Sequence, residues 1–369
     1  MHFEESVLYR AGENGYHTHR IPALLTTLRG TVLAFSEARK FTGRDSDQID
    51  LVVRRSSDGG ATFGPMQVVA CENGWVSGNP APVQDRETGT ISLLFCMNPV
   101  HERGETEIIS GNLPRTVWIT RSSDDGTSWS TPAEITQQVK KQSWTWYATG
   151  PCHGFQLESG RLIVPCDHVD GNVPEYARSG HSHLVCSDDH GETWHIGGIA
   201  QAGTNESVAV QTLDGSLYLN CRNFAYHSAT GERQNRRACA WSHDDGSSFT
   251  HFGIDDVLVD PICQAGMVRM TSTKTGSDRN RVLFSNPAGV SGGQYIRSEL
   301  TVRLSYDECI TWPVSRVVCA GRAAYSDLCI APDGSVCCFY EKGPEPGSDG
   351  RDMVLARFDL GWLTNGADR

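Results

Sequence analysis

Ser56-Ser57-Asp58-Gly59-Gly60-Ala61-Thr62-Phe63 is the first copy of a pattern, Ser-x-Asp-x-Gly-x-Ser/Thr-aromatic, that returns along the chain. It recurs as Ser122-Asp124-Gly126-Ser128-Trp129, Ser187-Asp189-Gly191-Thr193-Trp194 and Ser242-Asp244-Gly246-Ser248-Phe249. A fifth copy, Ser305-Asp307-Cys309-Thr311-Trp312, has Cys309 where the glycine belongs. From aspartate to aspartate the steps are 66, 65, 55 and 63 residues. Each copy has the chemistry of a hairpin turn: Asp and Ser side chains bond nearby backbone amides, Gly supplies a positive φ, and the aromatic ring anchors the turn on a sheet. Strand-like runs precede the copies, among them 49–53, 116–120 and 183–185. A period near sixty residues suits a four-stranded blade with a generous loop, and 369 residues hold six such units. The pattern predicts an all-β chain, a six-bladed β-propeller of four-stranded antiparallel blades forming one domain over residues 1–369. The turns themselves read as structural, standing away from chemistry.

Composition agrees with this reading. The 38 Gly and 16 Pro are spread through the chain with no linker-like block, as many short strands joined by tight turns require. A formal charge of −12 argues against nucleic-acid binding, which needs a basic face. An anionic substrate would need a local cationic pocket. No apolar run reaches membrane-spanning length, and the first 25 residues lack the basic head and apolar stretch of a signal peptide. The 13 cysteines are an odd number without C-x-x-C spacing, which predicts buried reduced thiols and a cytoplasmic protein.

The repeated boxes, together with Arg20-Ile21-Pro22, resemble the sialidase (exo-α-sialidase, neuraminidase) family with its Asp-box repeats, the lysosomal and bacterial branches most of all. Further stretches carry the resemblance through the whole chain: Phe35-Ser36-Glu37-Ala38-Arg39, Gly150-Pro151, Gly160-Arg161-Leu162, Phe284-Ser285-Asn286-Pro287-Ala288 and Tyr340-Glu341-Lys342-Gly343. What it implies is an exo-sialidase that releases terminal α-linked sialic acid from glycans, glycoproteins or glycolipids with retention. No cofactor or metal is called for. Sialidases are the recognised tyrosine-nucleophile exception among retaining glycosidases. The chemistry is sensible, because the anomeric carbon carries a carboxylate that would repel an attacking carboxylate while a phenol escapes that repulsion.

Residue by residue, the resemblance implies Tyr325 in Ala324-Tyr325-Ser326-Asp327-Leu328 as the nucleophile and Glu206, just before an apolar run, as its base. Three arginines, Arg20, Arg222 and Arg297, would hold the sugar carboxylate through bidentate guanidinium forks. Nearby Arg303 is placed outside the pocket, because the Arg-x-x-Leu pattern fits Arg297. Glu341 would orient the first arginine with help from Glu37, and Arg39 would line the pocket. Members of the family place an aspartate in a loop nine residues before the Arg of Arg54-Arg55, so the resemblance implies Asp45 as acid and base in turn, with Asp47 the fallback and Asp50 a strand residue. Asn79 and the aromatic run Trp144-Thr145-Trp146-Tyr147 are candidates for the sugar's acylamino and glycerol arms. His181 and His183 read as a surface-facing pair, not as metal ligands.

Four other functions share parts of this pattern. A trans-sialidase would pass the sugar to another glycan, and a hydrolase of the deaminated sugar 2-keto-3-deoxynononic acid would differ only at C5. A non-catalytic sialoglycan-binding propeller would keep the arginines and lose Tyr325, Asp45 or Glu206, all of which are present. A scaffold propeller would have no use for the arginines.

Overall fold

Every box closes on itself in the same way. In the first, Ser56 Oγ donates to Asp58 Oδ1 at 2.7 Å and accepts from Gly60 N at 2.8 Å. Asp58 then accepts from Thr62 N at 2.9 Å and from Thr62 Oγ1 at 2.5 Å. The four later boxes repeat these bonds, including the one built on Cys309. The glycine position always has positive φ, from 70° at Cys309 to 88° at Gly191, so Cys309 accepts a left-handed backbone that a side chain seldom adopts.

The computed structural model describes residues 1–172, 179–224, 235–343 and 350–368. Among them the regular structure is almost all β, as the repeat predicts, and helix is confined to single turns such as Leu360–Leu363. Thr18–Thr26, Val32–Arg39, Ile49–Ser56 and Gln67–Ala70 pair in that order, all antiparallel. Trp75–Gln84, Ile91–Pro99, Thr116–Ser122 and Ala133–Glu134 follow in the same manner, joined to the first run by one parallel bridge, Ile49 to Val76. Next come Trp144–Thr149, Leu162–Asp170, Gly180–Ser187 and His195–Ala202, then Thr204–Gln211, Leu217–Asn223, Arg236–Ser242 and His251–Val259. Gly266–Thr271, Arg281–Ser291 and Gln294–Ser305 pair onward to the first part of the long strand Val314–Ile330. Its second part pairs with Val336–Lys342, that strand with Asp352–Phe358, and Asp352–Phe358 with Phe3–Tyr9 from the opposite end of the chain.

Apolar residues facing out of these sheets meet in the interfaces between consecutive runs. Leu33, Phe35, Leu51 and Val53 from the first run share a core with Ile91, Leu93 and Phe95 from the second. Burying one such side chain contributes roughly 1.5–3 kcal/mol. The boxes tighten the same interfaces. A methyl on Gly126 would lie 2.9 Å from Leu33 Cδ1 across the interface, so the turn sits directly on the neighbouring sheet. Box aromatics Trp194, Phe249 and Trp312 are buried in these cores.

All 13 cysteines are free thiols and 11 of them are buried. The histidine pair differs from the sequence expectation. Gly180–Ser187 is flanked on both sides by other strands, so His183 is fully buried and its Nε2 lies 3.0 Å from Tyr147 Oη. His181 is half-buried, with Nδ1 2.9 Å from Ala200 O. No described helix is long and apolar enough to cross a membrane.

Candidate active site

Five strands break register at one point: between Arg20 and Ala23, Gly78 and Ala81, Trp144 and Tyr147, Thr204 and Ser207, and Ala323 and Ser326. A bulge of this kind interrupts the alternation of faces and re-aims side chains. Asn79, Trp146, Glu206 and Tyr325 lie inside their breaks, and Arg20 and Ile21 at theirs; Ile21 and Asn79 are driven to φ 58° and 59°. All six residues line one cavity of about 340 Å³. On an uninterrupted strand the consecutive residues Arg20 and Ile21 would face opposite sides of the sheet.

At the centre, Tyr325 Oη donates to Glu206 Oε1 at 2.5 Å. Arg222 Nη1 donates to Glu206 Oε2 at 2.6 Å and to Tyr325 Oη at 3.0 Å. Burial and the Glu206 charge push the phenol well above its ordinary range, against the opposing pull of Arg222, Arg297 and Arg20. The hydroxyl therefore keeps its proton, aimed at a carboxylate. The Arg20 and Arg297 guanidinium carbons lie 5.2 and 5.5 Å from the centre of the Tyr325 ring, so three cations surround one phenol.

The arginines are held from behind. Arg20 Nε donates to Glu341 Oε1 at 3.0 Å, and Ile21 N reaches the same oxygen at 3.0 Å because of its bulge. Glu341 Oε2 accepts from Arg351 Nη1 at 2.8 Å. Burial raises this completely buried carboxyl, but Arg20 and Arg351 outweigh it and keep Glu341 ionised. Arg297 is braced by Nη2 donating to Ile262 O at 2.5 Å.

Asp45 reaches the cavity from its loop. Its Oδ1 accepts from Arg39 Nη2 at 2.5 Å and from Arg20 Nη1 at 3.2 Å. Burial raises the carboxyl, yet Arg39 and then Arg20 hold it well below the usual carboxylate range. Asp47 instead accepts its own neighbour's Gln48 N at 2.7 Å, and Asp50 accepts from Tyr16 Oη at 2.8 Å; neither lines the cavity. Glu37 was expected to share the holding of Arg20. It bonds Arg39 Nη2 at 2.7 Å and Asn79 N at 2.9 Å instead, because its strand neighbour two positions on is the closer cation. Arg303 is turned to Asn286 Oδ1 and lies outside the cavity, as the motif predicts.

Of the aromatic run only Trp146 faces the cavity; Trp144 and Tyr147 are buried in the core. Sequence reasoning missed Arg115, Asp167, Asn205, Glu105 and Phe224, all of which line the cavity. Arg115 is buried, with its guanidinium 4.3 Å from the centre of the Trp146 ring and its nitrogens donating to Tyr147 O, Asn98 Oδ1 and Asn79 Oδ1, each at 2.5 Å. Asn79 thus has its side-chain oxygen fixed by a cation. No motif marks these residues in one dimension, although the acid in the apolar stretch Leu162–Asp170 was a visible anomaly at Asp167.

The chain matches known proteins along nearly its whole length. A family model for the BNR repeat-like domain matches residues 30–338. A sialidase from Micromonospora viridifaciens is 33% identical over 98% of this chain, which spans 54% of that protein. Sialidase-2 of Rattus norvegicus is 30% identical, with 90% of this chain and 92% of that protein aligned. Among solved structures, the Hadza microbial sialidase Hz136 superposes with a TM-score of 0.83 at 28% identity, covering 97% of this chain and 69% of that one.

Proposed function

The chain belongs to the sialidase family, and from that premise we propose that it is an exo-sialidase, a retaining glycoside hydrolase that removes terminal α-linked sialic acid from glycoconjugates. The observation that carries this reading is the 2.5 Å bond from Tyr325 Oη to Glu206 Oε1 within a ring of three arginines. Arg20, Arg222 and Arg297 receive the sugar carboxylate. As Tyr325 Oη attacks C2, Glu206 takes the phenolic proton and Asp45 gives a proton to the departing glycan oxygen; the C2–O bond to the glycan breaks as the Tyr325–C2 bond forms. Water, deprotonated by Asp45, then displaces Tyr325, which recovers its proton from Glu206, and the configuration at C2 is retained. A carboxylate nucleophile near 4 Å from the sugar carboxylate would instead meet about 4 kcal/mol of repulsion at an effective dielectric constant near 20.

Asp45 must hold a proton when the glycan leaves, whereas Arg39 and Arg20 keep it ionised in the ligand-free pocket. A sugar carboxylate arriving on Arg20 neutralises part of that field, raises the Asp45 carboxyl and prepares it to act as the acid.

The architecture that carries the site is a six-bladed propeller, and two contacts support closure of the ring. Phe3–Tyr9 completes the sheet of Asp352–Phe358, and a methyl on Gly60 of the first box would lie 2.9 Å from Cys337 Sγ in the last sheet. Incubation with a fluorogenic sialoside tests the function directly: release of fluorophore with first-formed α-sialic acid, seen by proton NMR, is the expected result. No release from sialosides of any linkage, or first-formed β-anomer, would overturn the reading.

A further inference from the structure

On the sialidase reading, the three arginines, Tyr325, Glu206 and Asp45 have assigned work, and several other lining residues have none. Among these, Asn205 and Asp167 form one stretch of wall with Trp146. Asp167 is completely buried on the strand Leu162–Asp170. Trp146 Nε1 at 3.1 Å and Asn205 Nδ2 at 2.9 Å both donate to the same oxygen, Oδ1. The other oxygen, Oδ2, is buried and has no hydrogen-bond partner. A buried polar atom left unpaired is costly, and one in the wall of a pocket marks where a ligand's polar group completes the set.

We propose that Asp167, in the pocket wall, is a specificity-determining residue that recognises an oxygen of the bound sugar's exocyclic arms through Oδ2, its one oxygen without a protein hydrogen-bond partner. Its protonation supports the assignment. Burial, and then the Glu206 charge, raise this carboxyl well above its ordinary value despite Arg222, the Trp146 bond and Arg115. Burial and Glu206 thus favour the protonated form of Asp167, and with Oδ1 already accepting two donors the place for that proton is Oδ2. A neutral donor at this point binds a hydroxyl or acyl oxygen without repelling an anionic sugar, which an ionised aspartate beside Glu206 would do. Asn205, adjacent to Glu206 in the chain, ties the wall to the catalytic base. Asp167 bonds none of the three carboxylate-holding arginines, so the arm it reads is remote from C2.

The test compares Asp167→Leu and Asp167→Asn with wild type on three sialosides: intact, shortened by periodate at the glycerol arm, and deaminated at C5. Thermal melting of each variant establishes folding. Asp167→Leu is expected to lower kcat/KM at least 10-fold on the intact sugar, chiefly through KM, and less than 2-fold on the one substrate that lacks the recognised group. Asp167→Asn, whose amide can donate from the same place, is expected to keep wild-type discrimination among the three. An equal loss on all three substrates would assign Asp167 a structural role and overturn the proposal, as would no loss on the intact sugar. Inactivity of the wild type on every sialoside would instead overturn the sialidase reading on which the proposal rests.

Discussion

Tyr325 and Glu206 stand 119 positions apart in sequence and share a 2.5 Å hydrogen bond, each placed by a register break in a different sheet. A phenol and a carboxylate so paired in an apolar core would be neutralised by a single proton and left inert. Here Arg222 bonds both partners, so the pair is stabilised in a charge state that can pass its proton inward and release an oxygen nucleophile.

Tyr325→Phe removes that oxygen and leaves the ring contacts with Arg20 and Arg297. The kcat on a sialoside should fall by at least about 10³, the scale found when a nucleophile acting in a concerted unit is removed. Mass spectrometry of wild-type enzyme quenched during turnover should find the sugar on the peptide containing Tyr325. Recovery of that adduct from the Phe variant would mean another residue attacks.

Arg297→Ala removes one cation from the carboxylate site while its brace at Ile262 O is merely freed. Loss of one partner in a buried charged hydrogen bond costs about 2–5 kcal/mol, so kcat/KM should fall roughly 30- to 4,000-fold, mainly through KM. An unchanged KM would place the sugar carboxylate elsewhere.

The boxes set an acid limit on the fold. Hydrogen bonds from Ser56 and then Thr62 hold Asp58 at about 2, and bonds led by Ser128 hold Asp124 at about 2. Both folded values lie below the unfolded value of about 3.9, so this stabilisation is complete above about pH 4 and is lost as pH falls toward 2. Melting temperature should be level above pH 4 in this respect and drop below it. The double variant Asp58→Asn, Asp124→Asn should melt lower at pH 6 and show a shallower drop; parallel curves would exclude these carboxylates as the cause.

Gly246→Ala should destabilise by roughly 1–3 kcal/mol, since the added methyl would come within 2.8 Å of Leu184 and 2.9 Å of Leu217 at a φ of 78°. Gly276 has φ 88° but open space around it, so Gly276→Ala should cost only the backbone strain, about 1 kcal/mol. Equal melting temperatures for the two variants would show that the box does not press on its neighbours.

The class of the fold was legible because the box is a local device: five turns with the same internal bonds repeat in sequence whatever surrounds them. Tyr325, Glu206 and the three arginines were legible through motif context, and the structure gathers them in one cavity. Arg115 and Asp167 were not, because their significance depends on which strand they face. The same limit explains Glu37, whose partner was decided by strand alternation in favour of Arg39, and His183, whose strand turned out to have neighbours on both sides. Trp146 was singled out only together with Trp144 and Tyr147. The bulge that separates it from them leaves no signature in composition.

Among the described residues Phe3–Tyr9 pairs with Asp352–Phe358 alone, and Arg20 is held by Glu341, itself held by Arg351. Synthesis runs from the first of these residues to the last. A nascent chain emerging from the ribosome can fold its boxes and middle sheets in turn, but its first arginine must wait for segments made more than three hundred residues later. The pocket is therefore complete only once residues 341–351 are present, and a chain cut just before Glu341 leaves Arg20 without its brace while the sheets formed by residues 18–259 keep their own partners.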